Sequence, residues 1–307
     1  MNPRKLSLLV VINPNASRAE EALPQLTEWF AQNDTVVRIA HKKKDLKLLL
    51  ETHGAGADRI VIGGGDGTLS KALPALLKLN KPLAVLPLGT ANDFARTIAL
   101  PADPLEAAEI ALGGSEHAVD VGLANGMPYL NVASVGVASE VIKGQSKTLK
   151  QTWRVAAYAI SLMQAARRLK PFIAELEIDG GPRWSAALYQ VSIANGRYHG
   201  GGLTVAEDAA IDDGKLDLYM IYPGTFWQLF ACLTHLRFGL MQKPKVLGRH
   251  SATRVKLVTL GPRDVDADGR LATKTPVEFK LKHKALKVLV PRQRPKNHRG
   301  LVRNDGG

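Results

Sequence analysis

The first 120 residues alternate short apolar runs with amphipathic segments, and this alternation constrains the fold more than any other feature. The apolar runs are continuous, as in strands that are buried on both faces, and the segments between them have helical spacing. We predict four strands, over Leu6–Ile12, Thr35–Ala40, Arg59–Ile62 and Pro82–Leu86. Helices are predicted over Arg18–Gln32 and Asp45–Thr52, and from Thr68 and Asn92 onward. This order predicts a doubly wound α/β domain with a mostly parallel sheet.

The pattern changes after about Met127, where apolar and polar residues alternate and turn residues separate short segments. Such alternation is typical of antiparallel strands. The predicted strands are Phe172–Ile178, Trp184–Ile193, Leu216–Ile221, Arg254–Leu260, Val277–Leu281 and Leu286–Val290. Two helices are predicted within this part, over Thr152–Leu169 and Thr225–Met241. We therefore predict an α/β domain over residues 1–127, a β-sandwich domain over 128–291 and a basic tail over 292–307.

The segment Ile60–Ser70, IVIGGGDGTLS, places a glycine-rich loop at the end of the third predicted strand. Ligands of open α/β sheets bind beyond the carboxyl ends of the strands. Glycines there let backbone N–H groups approach phosphate oxygens, and the next helix directs the positive end of its dipole at them. Because Asp66 would repel phosphate, we predict an intervening cation, and Mg²⁺ suits an all-oxygen site. A glycine turn with a purely structural role is the alternative.

A second loop follows the fourth predicted strand and repeats this logic. Leu86–Arg96, LPLGTANDFAR, places a hydroxyl, an amide, an acid and a cation within seven residues. Helix capping accounts for Asn92 or Asp93 alone, but not for Pro87, Gly89 and Thr90 as well. Capping alone therefore does not explain this loop.

These motifs resemble the diacylglycerol kinase catalytic domain in its soluble bacterial lipid kinase form. GGDGT is shared with NAD kinases and ATP-dependent phosphofructokinases, whereas the P-x-GT-x-ND-x-AR element separates the lipid kinases. The resemblance covers roughly residues 5–291. It includes three later segments, VDVG (119–122), NGRYHGGG (195–202) and IDDGKLD (211–217).

The resemblance implies a nucleotide domain like that of NAD kinases, followed by a β-sandwich domain, with the active site between them. It implies ATP contacts from residues of the two loops, namely Gly64, Gly65, Asp66, Gly67, Thr68, Gly89, Thr90 and Asn92. A Mg²⁺-linked acid network is implied for Asp66, Asp93 and Asp120. A second, structural metal is implied at Asp213 and at the backbone carbonyls of Ala210 and Lys215. The last strand is expected to return to the nucleotide domain.

The chain departs from the family pattern at two places. The family motif NPxSG reads Asn13–Ser17, NPNAS, so a glycine that contacts phosphate is replaced. The family motif DGE, whose glutamate is the base, reads Asp268-Gly269-Arg270, and a guanidinium cannot accept a proton. We predict Asp268 as the catalytic base, with Asp266 as the alternative. Arg270 is then free to hold an anionic group of the acceptor.

The formal net charge of +13 favours a polyanionic partner. Without a nucleic-acid-binding signature, we expect an anionic membrane surface and no nucleic acid. The apolar segment Thr225–Gln242, with Trp227 at headgroup depth, is either a buried helix or a wall against acyl chains. No run is long enough to span a membrane, and one cysteine cannot form an intramolecular disulfide. We expect a cytoplasmic, peripherally membrane-associated protein, and the sequence leaves a homodimer open.

The function predicted from the sequence is an ATP- and Mg²⁺-dependent lipid kinase acting on a membrane lipid such as diacylglycerol. Two alternatives remain open. An NAD kinase would share the glycine loop but should lack LPLGTANDFAR. A non-catalytic lipid or nucleotide sensor could have kept the fold and lost its base at Arg270.

Overall fold

Two large β-sheets organise the described part of the chain in the computed structural model. One sheet has ten strands and the other has six among the described residues. The structure describes residues 6–33, 35, 37–39, 43–136, 170–196, 198–199, 203–204, 210–225, 227–229, 231–232, 235 and 245–292.

The described helices and strands follow one another along the chain in two parts. The first part contains β1 (Leu8–Ile12), α1 (Ala19–Gln32), β2 (Val37–Ile39), α2 (Lys43–His53), β3 (Arg59–Gly64), α3 (Asp66–Leu79), β4 (Leu83–Pro87), α4 (Asp93–Thr97), α5 (Pro104–Gly113), β5 (Ser115–Ala124), β6 (Met127–Tyr129) and β7 (Val132–Gly136). The second part contains β8 (Phe172–Ile178), β9 (Trp184–Leu188), β10 (Gln190–Ala194), β11 (Tyr198–His199), β12 (Leu203–Thr204), β13 (Leu216–Ile221), β14 (Leu247–Ala252), β15 (Arg254–Thr259), β16 (Asp264–Ala267), β17 (Arg270–Lys274) and β18 (Val277–Val290).

The first sheet carries the parallel strands that the sequence predicts. The order is β2-β1-β3-β4, and each neighbouring pair is parallel. Every residue of β1 and β4 is buried, because helices cover both faces of the sheet. One face packs against residues of α2 and α3, and the other packs against residues of α1 and α5. The predicted α/β architecture is confirmed.

The long strand β18 joins the two halves of the molecule. Its first residues pair with β15, and Val288 pairs in parallel with Leu83 of β4. Two separate strands were predicted here, but an irregularity between Lys282 and Leu286, with Lys284 at φ 47°, lets one strand bend and continue along β5. One sheet therefore runs from the α/β half into the β half.

The second sheet forms the other layer of the β half. Its order is β14-β13-β10-β7-β16-β17, and all its pairs are antiparallel. Apolar residues of this sheet pack against β8, β15 and β18 of the first sheet in one core. The predicted β-sandwich is confirmed.

The prediction of one continuous strand over Trp184–Ile193 is wrong. The segment divides into β9, which pairs with β8 in the first sheet, and β10, which pairs with β7 and β13 in the second. The chain changes sheets at Tyr189, whose backbone N–H donates to the carbonyl of Ile221. The sequence could not reveal this corner, because residues 184–193 contain no glycine or proline to mark it.

Some expectations fall on residues that lie outside the described part. These are the helix over Thr152–Leu169, most of the segment Thr225–Gln242 and the basic tail beyond residue 292. Within the described residues, none of the helices combines the length and apolar character that crossing a membrane requires.

Candidate functional site

Three loops converge at the carboxyl ends of β1, β3 and β4. The backbone N–H of Asn13 donates to the carbonyl of Gly63 over 2.9 Å, and its side-chain amide donates to the Thr68 hydroxyl over 3.0 Å. The Thr90 hydroxyl donates to the hydroxyl of Ser17 over 3.0 Å. These contacts join residues 13–17, 63–68 and 87–92 into one surface, in the crevice where open α/β sheets bind ligands.

The two glycine loops touch backbone to backbone. A Cβ at Gly89 would lie 2.4 Å from the Cα of Gly65, which no real side chain tolerates. The adjacent helix α3 begins at Asp66, and among the described residues the N–H groups of Asp66 and Gly67 have no hydrogen-bond partner, as expected for a first turn. The result is a cradle of bare backbone with donors and a helix dipole directed into it, which suits phosphate oxygens.

Asn92 shapes the second loop from inside. It adopts a left-handed conformation at φ 51°. Its side-chain oxygen accepts the N–H of Gly89 over 2.9 Å, and its NH₂ group donates to the Gly89 carbonyl over 2.8 Å. These contacts hold Gly89 and Thr90 in place, so the structure gives Asn92 a positioning role within the predicted nucleotide loop.

Asp66 connects the glycine loop to helix α4. Its carboxylate accepts the backbone N–H groups of Asp93 over 3.1 Å and Phe94 over 3.0 Å, at the first turn of that helix. The side-chain amide of Asn131 donates to the same carboxylate over 3.4 Å. The carboxylate of Asp66 therefore caps helix α4, and the cation predicted beside it stays a prediction. Asp93 itself is buried at the start of α4.

Asp268 lies in the turn between β16 and β17, where it and Gly269 have positive φ angles of 48° and 75°. Its carboxylate accepts three successive backbone N–H groups, from Leu130 (2.8 Å), Asn131 (2.9 Å) and Val132 (3.2 Å). The carboxylate of Asp268 therefore has a structural role, because it fastens the hairpin turn to the segment before β7.

Burial raises the pKa of Asp268 from 3.8 to about 6. The three backbone N–H groups act in the opposite direction, since they stabilise the ionised form, and the charge of Asp66 raises the pKa further. The carboxylates of Asp66 and Asp268 are thus close enough to interact, and Asn131 hydrogen-bonds to both. A carboxylate with this pKa is ionised at neutral pH and can still accept a proton.

Arg270 extends from β17 to helix α3. One terminal nitrogen of its guanidinium donates to the carbonyl of Ser70 over 3.0 Å, and its Nε is buried without a hydrogen-bond partner among the described residues. The side-chain hydroxyl of Ser70 is likewise buried without one in this part of the chain. Arg270 therefore links the β half of the molecule to the helix that begins at the glycine loop.

Asp120 contacts the 210–215 loop and strand β18. Its buried carboxylate accepts the backbone N–H groups of Gly214 over 2.8 Å and Lys284 over 2.6 Å, and lies 2.8 Å from Nδ1 of His283. Through these contacts Asp120 holds the 210–215 loop against β18. The Mg²⁺-linked network of Asp66, Asp93 and Asp120 stays a prediction.

Asp213 lies in that same loop, at the predicted structural metal site. Partial burial raises the pKa of Asp213, the N–H of Lys215 opposes this, and the charges of Asp217 and Asp120 raise it again. A carboxylate whose pKa is raised by burial and by neighbouring acids suits a nearby cation. Among the described residues, no three His, Cys, Asp or Glu side chains converge as metal ligands. A cation here would therefore need backbone carbonyls such as those predicted, Ala210 and Lys215, beside Asp213.

Two buried asparagines of the site were not among the predicted site residues. Asn131 joins Asp66 to Asp268, and Asn195 donates through its side-chain amide to the carbonyls of Asp120 and Leu130, over 2.9 Å each. For Asn131 the signal in the sequence is a polar amide inside an apolar run, Tyr129–Gly136, YLNVASVG; for Asn195 it is the first position of the segment NGRYHGGG. The glycines of the predicted loop at 200–202 lie outside the described residues.

Comparisons with known proteins agree with this architecture. The model of the diacylglycerol kinase catalytic domain matches residues 7–124, and the model of the YegS C-terminal NAD kinase beta sandwich-like domain matches residues 131–290. A Pseudomonas fluorescens protein named "probable lipid kinase YegS-like" is 32% identical over 298 residues, which cover 96% of this chain and 98% of the relative. A protein of the same name from Pseudomonas aeruginosa PAO1 is 30% identical, covering 94% of this chain and 95% of the relative.

Solved structures with this fold include kinases of two kinds. A diacylglycerol kinase from Bacillus anthracis has a TM-score of 0.73 at 21% identity, covering 95% of this chain and 99% of that one. An NAD kinase from Archaeoglobus fulgidus in complex with ATP has a TM-score of 0.51 at 12% identity, with 92% of each chain covered. These two show the fold, while the family models and the sequence relatives cover both halves. The resemblance is confirmed, and the chain belongs to the YegS-like lipid kinases, which join a diacylglycerol kinase catalytic domain to a YegS C-terminal β-sandwich domain.

Proposed function

We propose that this protein transfers the γ-phosphoryl group of ATP to the hydroxyl of a membrane lipid such as diacylglycerol. One observation carries the proposal: the glycine loops meet backbone to backbone beside two N–H groups at the start of α3 that have no acceptor among the described residues. A cradle without side chains can hold the phosphates of a nucleotide, and the residues that flank it can position an acceptor.

The transfer forms a bond between the lipid oxygen and the γ-phosphorus and breaks the bridging bond to the β-phosphate. ADP leaves with the electron pair of that bond, and the hydroxyl proton passes to Asp268. With a pKa of about 6, Asp268 is ionised at neutral pH, and its Oδ2 accepts the N–H of Leu130, which leaves a lone pair. Gly65, Gly67, Thr68 and Thr90 would hold the phosphates, while Asn92 fixes their loop.

Mg²⁺ fits this chemistry because it is usually bound by one or two carboxylates together with substrate phosphates. Asp66 stands at the cradle, and Asp93 follows at the start of α4. When bound, the ion would neutralise charge between these acids and the phosphates. Asp66 meanwhile keeps α4 in place through its two backbone contacts.

Access to a lipid requires contact with a membrane, and we include peripheral binding to an anionic surface in the proposal. The net charge of +13 and the side chain of Trp227, which is 74% exposed, support it. Vesicle binding should then need anionic lipid and weaken with salt, since the screening length falls to about 8 Å near physiological ionic strength. Equal binding to neutral vesicles at high salt would contradict membrane recruitment by charge.

The test uses γ-labelled ATP with the full chain, Mg²⁺ and extracted lipids, with the products resolved by chromatography. NAD serves as a second acceptor, and a single-turnover arm detects slow transfer. Label in a lipid product supports the proposal. Label in NADP but not in lipid would show an NAD kinase, and binding of ATP without transfer to either acceptor would show a sensor. Gly89→Ala, which closes the cradle, is the negative control.

A further inference from the structure

Arg270 occupies the position where the family motif has its base, and its surroundings suggest another role. We infer that Arg270, together with the hydroxyl of Ser70, binds a phosphate oxygen at the boundary between the two halves of the molecule. The inference rests on the proposed function in that the phosphate belongs to one of the two reactants or to the product. It adds a specific anion-binding pair that the two glycine loops do not include.

The position of Arg270 places it close to the transfer site. It begins β17, directly after the Asp268–Gly269 turn. The carbonyl that it contacts belongs to Ser70, four residues along α3 from Asp66. Four residues of helix advance about 6 Å, so the guanidinium is held roughly one helical turn from the nucleotide cradle.

The guanidinium of Arg270 has no anionic partner in the described part of the protein. No carboxylate of a described residue lies within 4.0 Å of the guanidinium. Two acids of the site, Asp66 and Asp268, already accept backbone N–H groups. A partly buried cation without an anion is unfavourable, because desolvation is not compensated. An anionic ligand would supply that compensation.

Two neighbouring donors, both within the described residues, have no acceptor there. The Nε of Arg270 and the Oγ of Ser70 are buried without a partner, although the guanidinium contacts the Ser70 carbonyl. Buried donors are almost always paired in folded proteins, so two neighbouring exceptions indicate a missing acceptor. A phosphate oxygen accepts several hydrogen bonds at once, and guanidinium groups match phosphate geometry well.

The phosphate could come from ATP, as the group being transferred, or from a lipid, as the phosphomonoester of the product. The chemistry of recognition is the same in both cases. Two soluble probes separate the sources: ATP without lipid, and dioctanoyl phosphatidic acid without nucleotide. Affinities for the full chain are measured by titration calorimetry, which requires no turnover.

Arg270→Gln should weaken the binding of one probe by about 10- to 100-fold, the range expected for losing a charge-assisted hydrogen bond. Lys274→Gln is the matched control, because it removes the same charge from the same strand at a side chain that is 64% exposed. The control should leave both affinities unchanged. Loss confined to ATP assigns the γ-phosphate, and loss confined to phosphatidic acid assigns the lipid phosphate. Unchanged affinity for both probes, or an equal loss in the control, would overturn the inference.

Ser70→Ala keeps the test decisive if Arg270→Gln fails to fold. It retains the carbonyl that Arg270 contacts and replaces a buried hydroxyl, which has no partner in the described part, with a good helix former, so folding should not suffer. Its affinity for the same probe should fall by about 3- to 10-fold, as for one neutral hydrogen bond. An unchanged affinity contradicts the inference. If the wild type transfers phosphate to no lipid but these variants still weaken ATP binding, the proposed function fails and the assignment of Arg270 stands.

Discussion

Asp268→Asn removes a carboxylate whose ionisation is disfavoured by burial. The effect of this change on the free energy of unfolding should therefore depend on pH. The pKa of Asp268 is raised from 3.8 to about 6, so the folded protein binds this proton more tightly than the unfolded chain does. The protonated side chain of Asp268 therefore favours the folded state. This contribution to the free energy of unfolding is fully present below pH 3.8 and is lost as the pH rises through 6. Two pKa units at about 1.36 kcal/mol each correspond to about 3 kcal/mol.

The asparagine does not ionise, so the variant avoids this loss. It has a separate, pH-independent cost, because its NH₂ group would face the N–H of Leu130, a clash of donors worth about 1–3 kcal/mol. We expect the variant to be less stable than the wild type near pH 4. Between about pH 4 and pH 7.5 the difference should move by up to ~3 kcal/mol in favour of the variant, and the two stabilities should become similar.

The assay is urea unfolding of both proteins at several pH values, followed by circular dichroism. Glu109→Gln, which removes the carboxylate of an exposed residue on α5, is the control for the loss of an acid as such. A pH-independent difference for Asp268→Asn would refute the argument from burial. In the kinase assay the same variant should lose about 10²- to 10⁴-fold in turnover if Asp268 takes the proton, and full turnover would remove it from that role.

Three further changes test how the loops are held. Asp66→Ala should lower the free energy of unfolding by about 2–4 kcal/mol in urea titrations, because two N–H groups at the start of α4 lose their acceptor; a variant as stable as wild type would contradict the capping role. Gly89→Ala should weaken ATP binding by at least about 10-fold in calorimetry, because its Cβ would meet Gly65. Gly67→Ala is the control for folding: its Cβ has nothing within 4 Å, so this variant should keep the wild-type melting temperature. Asn92→Gly should melt higher than Asn92→Ala by the equivalent of about 1–2 kcal/mol, since glycine adopts φ 51° without strain; the reverse order would refute this.

The sequence by itself determined the local elements and their class. Continuous apolar runs mark β1, β3 and β4, because strands buried on both faces need apolar residues at every position. The glycines and Asn92 mark the loops that follow β3 and β4, because the conformation of a turn depends on a few neighbouring residues. These patterns are local, so residue order alone was enough to predict the α/β domain, the sandwich and the family resemblance.

The tertiary structure decided which partners each polar side chain has. Asp66 accepts N–H groups 27 and 28 residues away, Asp268 reaches segments 136 to 138 residues away, and Arg270 contacts a carbonyl 200 residues away. The spacing of residues along the chain cannot predict such contacts, because they depend on how β18 joins the two halves and brings the β16–β17 turn against α3. The same packing sets burial, and burial rather than residue type raises the pKa of Asp268 and leaves Arg270 without an anion among the described residues.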